Sequence, residues 1–213
     1  AMIEGGGLGS YQATDIGPVG EHCRNGVVDV LVSDEQEATR AARQVLGYWQ
    51  GAMSHWDAAE QTVLRSILPE NRRMAYDMRR ILSVVLDSGT WLELRQDFGR
   101  AVIIGLGRIA GRAVAVLASD CRHLGGAIDI DAANKAADLF RLAERWQLPV
   151  VSFVDTPGFM VGPASERAGA PRVMAELFTA GAALTQPIVS IFIRRGYGLG
   201  AMAMAGGSFH VPV

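Results

Sequence analysis

Beyond residue 97 the chain alternates between short β-branched apolar runs and segments with helical spacing. No other feature restricts the fold as much. "AVIIGL" (101–106) and "AVAVLA" (113–118) are separated by "GRIAGR", a spacing that predicts a hairpin. "DIDAANKAADLFRLAERWQL" (129–148) predicts a helix with Ala132, Ala136, Leu139, Phe140 and Ala143 along one face and Asp129 or Asp131 as its cap. "VVSFVD" after Pro149 reads as a strand, "PRVMAELFTAGAALTQ" as a helix and "PIVSIFI" as a strand. A Gly-rich stretch then opens a further helix, and "SFHVPV" reads as the start of a strand. The order β-β-α-β-α-β-α-β predicts an α/β fold with its strands buried by helices.

The first half is less regular. Residues 1–26 are loop-rich. Val27–Val32 predicts a short strand, followed by a helix capped by Ser33 or Asp34 and ended by Gly51, with Glu35 and Glu37 in the first turn where the helix dipole favours acids. Residues 51–71 have weak periodicity and read as a linker or domain junction, and "MAYDMRRILSVVLDSGTWLEL" reads as a helix followed by a Gly-containing turn. Both ends read as cut, so the chain is expected to be part of a longer polypeptide.

Composition narrows the function. The net charge of −2 leaves no electrostatic footprint for nucleic acid or an anionic membrane. No apolar run reaches the roughly 18 residues of a membrane span. Cys23 and Cys121 form no CxxC, which predicts reduced thiols and a cytoplasmic protein. His22, His55, His123 and His210 lack ligand spacing, so no catalytic metal is expected. There is no G-x-S-x-G nucleophile elbow.

Four glycine motifs remain. "IIGLGRIA" matches G-x-G-x-x-A, but a dinucleotide fingerprint needs a helix to follow and "GRAVAVLASD" is strand-like; the hairpin is favoured. "FVDTPG" (153–158) looks like a GTPase switch, yet the sole lysine, Lys135, sits in "AANKAA" and no phosphate-cradling loop exists. It is either a structural turn or a ligand-facing turn at a strand end. "HLGGAIDID" (123–131) is either a flexible loop or one that lets a ligand approach the backbone. "RRGYGLGAMAMAGG" (194–207) carries no acid, histidine, cysteine or serine. Either its small residues serve close helix–strand packing, or its backbone N–H groups face a developing oxyanion.

"GGAIDI" and "GYGLGAMAMA" together resemble the two oxyanion loops of the crotonase superfamily. Closer still, residues 54–213 resemble the C-terminal part of the carboxyltransferase β subunit of biotin-dependent acyl-CoA carboxylases, through "LPENRRMAYDMRRIL", "GGAIDIDAANKAADLFRLAERWQLPVVSFVDTPGFMVG" and "QPIVSIFIRRGYGLGAMAMAGG". Residues 1–52 resemble the end of that family's N-terminal domain. The resemblance implies a crotonase-like α/β fold, a ββα superhelix truncated at both ends. It divides the chain into the end of an N-domain (1–52), a junction (53–71) and a partial C-domain (72–213).

The resemblance also implies carboxyl transfer from carboxybiotin to the α-carbon of an acyl-CoA of the acetyl-, propionyl- or methylcrotonyl-CoA type. A decarboxylase or transcarboxylase subunit of the same fold, or a non-catalytic subunit, are the alternatives. Biotin brings its own base, so the protein mainly supplies oxyanion holes and positioning. The family's donors fall on the N–H groups of Leu199 and Gly200, or in crotonase register on Gly200 and Ala201. Gly125, Gly126, Ala127, Thr156, Pro157, Gly158, Phe159, Tyr197, Gly198 and Met202 are the implied substrate- or biotin-binding positions, Met202 where relatives place a residue sensitive to acyl-chain size. Two departures stand out: Leu199 where most relatives have a small residue, and "PASERAGAPR" where they have an acidic, Tyr-Gly-containing segment. Implied partners are a biotin carboxylase and a biotin carrier, because Lys135 lacks the context of a biotinyl lysine. A homo-oligomer is also implied, setting the N-domain of one subunit against the C-domain of another.

Overall fold

The computed structural model describes residues 2–209. Helices α1 (Met2–Gly5), α2 (Val19–Arg24), α3 (Glu35–Gly47) and α4 (Met78–Val85) precede strand β1 (Leu92–Leu94). The hairpin β2 (Val102–Ile109) and β3 (Arg112–Ser119) follows, then α5 (Ile130–Trp146), β4 (Val150–Thr156), α6 (Pro163–Arg167), α7 (Ala170–Ala183), β5 (Ile188–Gly196) and α8 (Gly198–Met204). Of the strand expected from "SFHVPV", Ser208 instead closes a short 3-10 turn at Gly206–Ser208, and His210 onward lies outside the described residues.

The five strands form one sheet in the order β1-β2-β3-β4-β5, antiparallel from β1 to β3 and parallel from β3 to β5. The hairpin turns tightly at Ala110 and Gly111, whose φ values of 49° and 76° suit a two-residue turn. Helix α5 lays Ala132, Ala136, Leu139, Phe140 and Ala143 into a core shared with Leu106, Leu117 and Val154, all at most 1% exposed. The other face of the sheet buries Ile103, Val116 and Phe153 under Met78 and Leu82 of α4. The cap of α5 is Asp129, which accepts from Ala132 N–H at 2.8 Å; that of α3 is Asp34, which accepts from Glu37 N–H at 2.7 Å.

Several expectations need correction. Val27–Val32 is not a strand. The N–H groups of Val27 and Val28 turn back onto the His22 carbonyl, and Arg95 N–H bonds Asp29 O, so this β-branched run crosses the surface without a neighbouring strand. Helix α3 stops at Gly47 rather than Gly51, because the buried Arg108 guanidinium takes the carbonyls of Gly47, Gly51 and Gly111. β1, expected as turn, pairs with β2. β5 runs on through Arg194, Arg195 and Gly196, so the Gly-rich stretch begins as strand. Cys23 and Cys121 are free and buried.

Candidate active site

Three of the four glycine motifs, those at 123–131, 153–158 and 194–207, meet at the C-terminal ends of β4 and β5. Thr156, fully buried, receives Gly158 N–H on its hydroxyl at 3.0 Å and donates to the Gly126 carbonyl at 2.6 Å. Ile128 N–H bonds Gly158 O at 3.0 Å and Met160 N–H bonds Ile128 O at 2.8 Å, a short parallel bridge between the 124–128 and 155–160 loops. Tyr197 N–H then bonds Thr156 O at 3.2 Å, setting the start of α8 against the same loop. Gly158 at φ 117° and Gly200 touch backbone to backbone. Pro157, next to Gly158, is exposed, and the Phe159 ring lies 6.4 Å from that of Phe178.

Helix α8 is anchored by Ala201, Ala203 and Met204, which enter the main core. Ser119 ties it to β4 by accepting Asp155 N–H at 3.1 Å and donating to Met204 Sδ at 3.3 Å. Ala201 N–H donates to Tyr197 O at 3.5 Å, the first turn of the helix. The N–H groups of Gly198, Leu199 and Gly200 find no acceptor among the described residues. The Leu199 side chain is 62% exposed and that of Met202 42%; three residues apart, they share a face beside the exposed Tyr197. In the other loop Leu124, Gly125 and Gly126 all have positive φ, and the N–H groups of Gly126 and Ala127 are taken by His123 O and Leu124 O.

Beneath these loops is a charged hub that sequence reasoning missed. Asp155, fully buried, accepts from Arg194 Nε at 2.8 Å, Tyr76 Oη at 2.9 Å, Arg195 Nε at 2.9 Å and Arg195 N–H at 3.2 Å. Burial pushes its carboxyl up, but the hydrogen bonds from Arg195, Arg194 and Tyr76 outweigh this and hold it below the ordinary carboxylate range. Burial, and then the Asp155 charge, push the Tyr76 phenol well above its usual value. Arg194 stacks its guanidinium 4.4 Å from the Tyr76 ring centroid and donates to Arg72 O and Met74 O. The adjacent arginines ending an apolar run were the available signal.

Clefts of about 460 Å³, lined by Arg79, Arg100, Arg122 and His123, and about 700 Å³, around Tyr48 and Arg108, are lined by neither Leu199 nor Gly200. Among the described residues no three His, Cys, Asp or Glu side chains gather as a metal site, and no helix is long and apolar enough to cross a membrane.

Comparison with known proteins places this geometry. The carboxyl transferase domain model matches residues 6–211. The chain is 35% identical, over 192 residues, to the biotin-dependent acetyl-/propionyl-coenzyme A carboxylase beta6 subunit of Mycobacterium tuberculosis, covering 88% of this chain and 41% of that protein. It is 31% identical over 183 residues to the propionyl-CoA carboxylase carboxyltransferase subunit of Haloferax mediterranei, covering 82% of this chain and 36% of that one. The chain thus spans about two fifths of the length of these curated relatives. Among solved structures, a single-chain, multi-domain long-chain acyl-CoA carboxylase superposes with a TM-score of 0.94 at 48% identity, over 98% of this chain and 21% of that one. The transcarboxylase 12S core, solved with methylmalonyl-coenzyme A, gives a TM-score of 0.86 at 25% identity, over 95% of this chain and 42% of that one. The fold is accordingly the mixed α/β, crotonase-like fold of carboxyltransferases, and the chain belongs to the carboxyl transferase domain family.

Proposed function

We propose that the complete polypeptide is the carboxyltransferase component of a biotin-dependent acyl-CoA carboxylase, with Leu199 and Gly200 supplying backbone N–H groups to an oxyanion. The observation that carries this is the set of unpaired amides at 198–200, held against the 156–159 loop by Gly158 and Gly200, in a chain of this family. Carboxybiotin, brought by a separate carrier protein, supplies both the carboxyl group and the base for the α-proton. The protein's part is then to hold two carbonyl-bearing partners in register and stabilise charge that grows on one oxygen. The missing side-chain acid, base and nucleophile fit that division of labour. The register 199/200 is favoured over 200/201 because Ala201 N–H is spent on Tyr197 O.

Gly125, Gly126 and Ala127 serve as a wall of the site, since the latter two amides are already bonded. Pro157 and Phe159 form the floor on which biotin or the acyl group rests, buried Thr156 and Gly158 hold that floor from beneath, and Tyr197 and Gly198 form the rim. The exposed apolar face of Leu199 and Met202 fits an acyl chain longer than acetyl, in keeping with the 48% identity to a long-chain acyl-CoA carboxylase. The division into an N-domain end (1–52), a junction (53–71) and a partial C-domain (72–213), the biotin carboxylase and carrier partners, the homo-oligomer and the cytoplasmic setting go with this reading.

The test is incorporation of labelled bicarbonate into acyl-CoAs of graded chain length by the complete polypeptide with its biotin carboxylase and carrier. Carboxylated product rising with chain length is expected. No carboxylation of any acyl-CoA, together with no reverse transfer to free biotin, would overturn the assignment. Transfer to a keto acid in place of bicarbonate-dependent carboxylation would make it a transcarboxylase, as the likeness to the 12S core allows.

A further inference from the structure

The strand ladder between β4 and β5 contains an irregularity that gives Arg195 a task. Val154 pairs with Phe192 and Thr156 with Gly196, so one residue of β4, Asp155, stands opposite three of β5: Ile193, Arg194 and Arg195. In a regular strand, neighbours such as Arg194 and Arg195 point to opposite faces. The bulge breaks this alternation, as bulges re-aim side chains, and both arginines reach the two oxygens of one buried carboxylate. From that shared anchor they diverge. Arg194, its side chain 7% exposed, goes to the carbonyls of Arg72 and Met74. Arg195, 31% exposed, sends Nη2 to the Gly125 carbonyl at 2.7 Å.

The Gly125 carbonyl belongs to three successive residues with positive φ, of which Leu124 at 49° is not glycine. Such a turn persists only where surrounding structure over-determines it. The same loop rests on the β4 end: a Cβ on Gly126 would stand 2.7 Å from Asp155 O, and Thr156 Oγ bonds Gly126 O. Among the described residues, Arg195 is therefore the side chain that joins the glycine loop, the buried carboxylate and the strand leading directly into Tyr197 and the free amides.

We infer that Arg195 is a positioning residue: through the Asp155 bulge it fixes the Leu124–Gly126 loop relative to the amides of Leu199 and Gly200, and so sets turnover rather than substrate affinity. The inference rests on the function proposed above. Arg194 is its matched control, sharing the carboxylate and the bulge but not the glycine loop.

The experiment compares Arg195→Ala, Arg195→Lys and Arg194→Ala in the complete polypeptide assembled with its carrier. Steady-state kinetics, thermal melting and amide hydrogen exchange are measured. Arg195→Ala is expected to lower kcat at least tenfold with KM for acyl-CoA within twofold, and to speed exchange at Gly126–Ile128. Arg195→Lys is expected to recover part of kcat. Arg194→Ala is expected to speed exchange around Arg72–Tyr76 and to lower Tm at least as much, with a smaller loss of kcat. The inference is overturned if kcat falls in proportion to Tm across the three variants, or if Arg195→Ala leaves exchange at Gly126–Ile128 unchanged. A wild-type protein without carboxyl transfer would sink the functional proposal alone, because the exchange comparison still decides whether Arg195 holds the loop.

Discussion

A β-carbon added to Gly200 would stand 2.8 Å from both the Cα and the carbonyl carbon of Gly158, and 2.9 Å from Phe159 N. All three contacts are with backbone, so the loop cannot give way by a rotamer change. Helix α8 and the 156–159 loop can approach this closely only because position 200 is glycine; Gly158 is required separately by its φ of 117°.

Gly200→Ala is therefore expected to push the loop from the helix and destabilise the protein by about 1–3 kcal/mol, with carboxyl transfer lost out of proportion. Gly198→Ala is the contrast. A Cβ there meets open space, but φ is +58°, so the cost is backbone strain of about 1–2 kcal/mol without displacement of the loop. Melting curves and transfer rates of the two variants separate packing from strain. Equal transfer rates would show that the Gly158–Gly200 contact does not matter to the site.

The role given to the Leu199 amide can be tested by removing that one hydrogen. Replacing Leu199 with its α-hydroxy acid exchanges the N–H for an ester oxygen and leaves the side chain in place. Loss of one oxyanion donor lowers kcat by about 10²–10³-fold in comparable sites, and this is the expected result. Leu199→Ala keeps the donor and is expected to change acyl-chain preference more than kcat with the best substrate. The same ester exchange at Ala201 removes the bond to Tyr197 O, and is expected to cost stability of about 1 kcal/mol with a smaller effect on rate.

Much of this arrangement was legible in the residues, for reasons that differ by element. Helix α5 showed itself through its apolar spacing and acidic cap, and the hairpin through two β-branched runs around a glycine, because local preference and tertiary packing agree there. The Val27–Val32 run misled because strand propensity is realised only beside another strand, and the Arg95 turn, not a strand, lies against it. Glycine motifs marked where backbones approach closely, at Gly126, Gly158 and Gly200. They could not disclose that Asp155, Arg194, Arg195 and Tyr76 converge beneath them. That cluster needs a bulge and a contact spanning 79 positions, from Tyr76 to Asp155, and neither leaves a periodic trace.

Asp155 makes stability depend on acid. Its carboxyl is held below the ordinary range in the fold, whereas in the unfolded chain it titrates near ~3.9. A depressed carboxylate contributes stability that is present above its unfolded pKa and is lost as pH falls through the folded one. Unfolding midpoints in urea are therefore expected to drop as pH falls below about 4. Asp155→Asn is expected to flatten that drop and, at neutral pH, to destabilise by roughly 3–5 kcal/mol, because two cations lose their shared partner. A variant as stable as wild type at neutral pH would remove the hub from any structural role.

Lys135 makes stability depend on base, with the opposite sense. Its side chain is 1% exposed and its ammonium donates to Phe98 O at 2.8 Å. Burial pulls its pKa down to about 8. In the unfolded chain it titrates near ~10.4, so between about pH 8 and 10 the unfolded state binds more protons and stability rises with pH. Two tyrosines work against it at the top of that window. Burial pushes Tyr48 up to about 12 and Tyr76 also upward, so each holds a proton in the fold that the unfolded chain releases above about pH 10. The interval from pH 8 to 9.5 isolates the lysine. Wild-type stability is expected to rise there by on the order of 2 kcal/mol, and Lys135→Met to abolish the rise while leaving the decline above pH 10. Urea titrations at half-unit pH steps read this directly. A slope in Lys135→Met equal to that of wild type would mean that burial does not depress the Lys135 ammonium in the fold and that another group carries the rise.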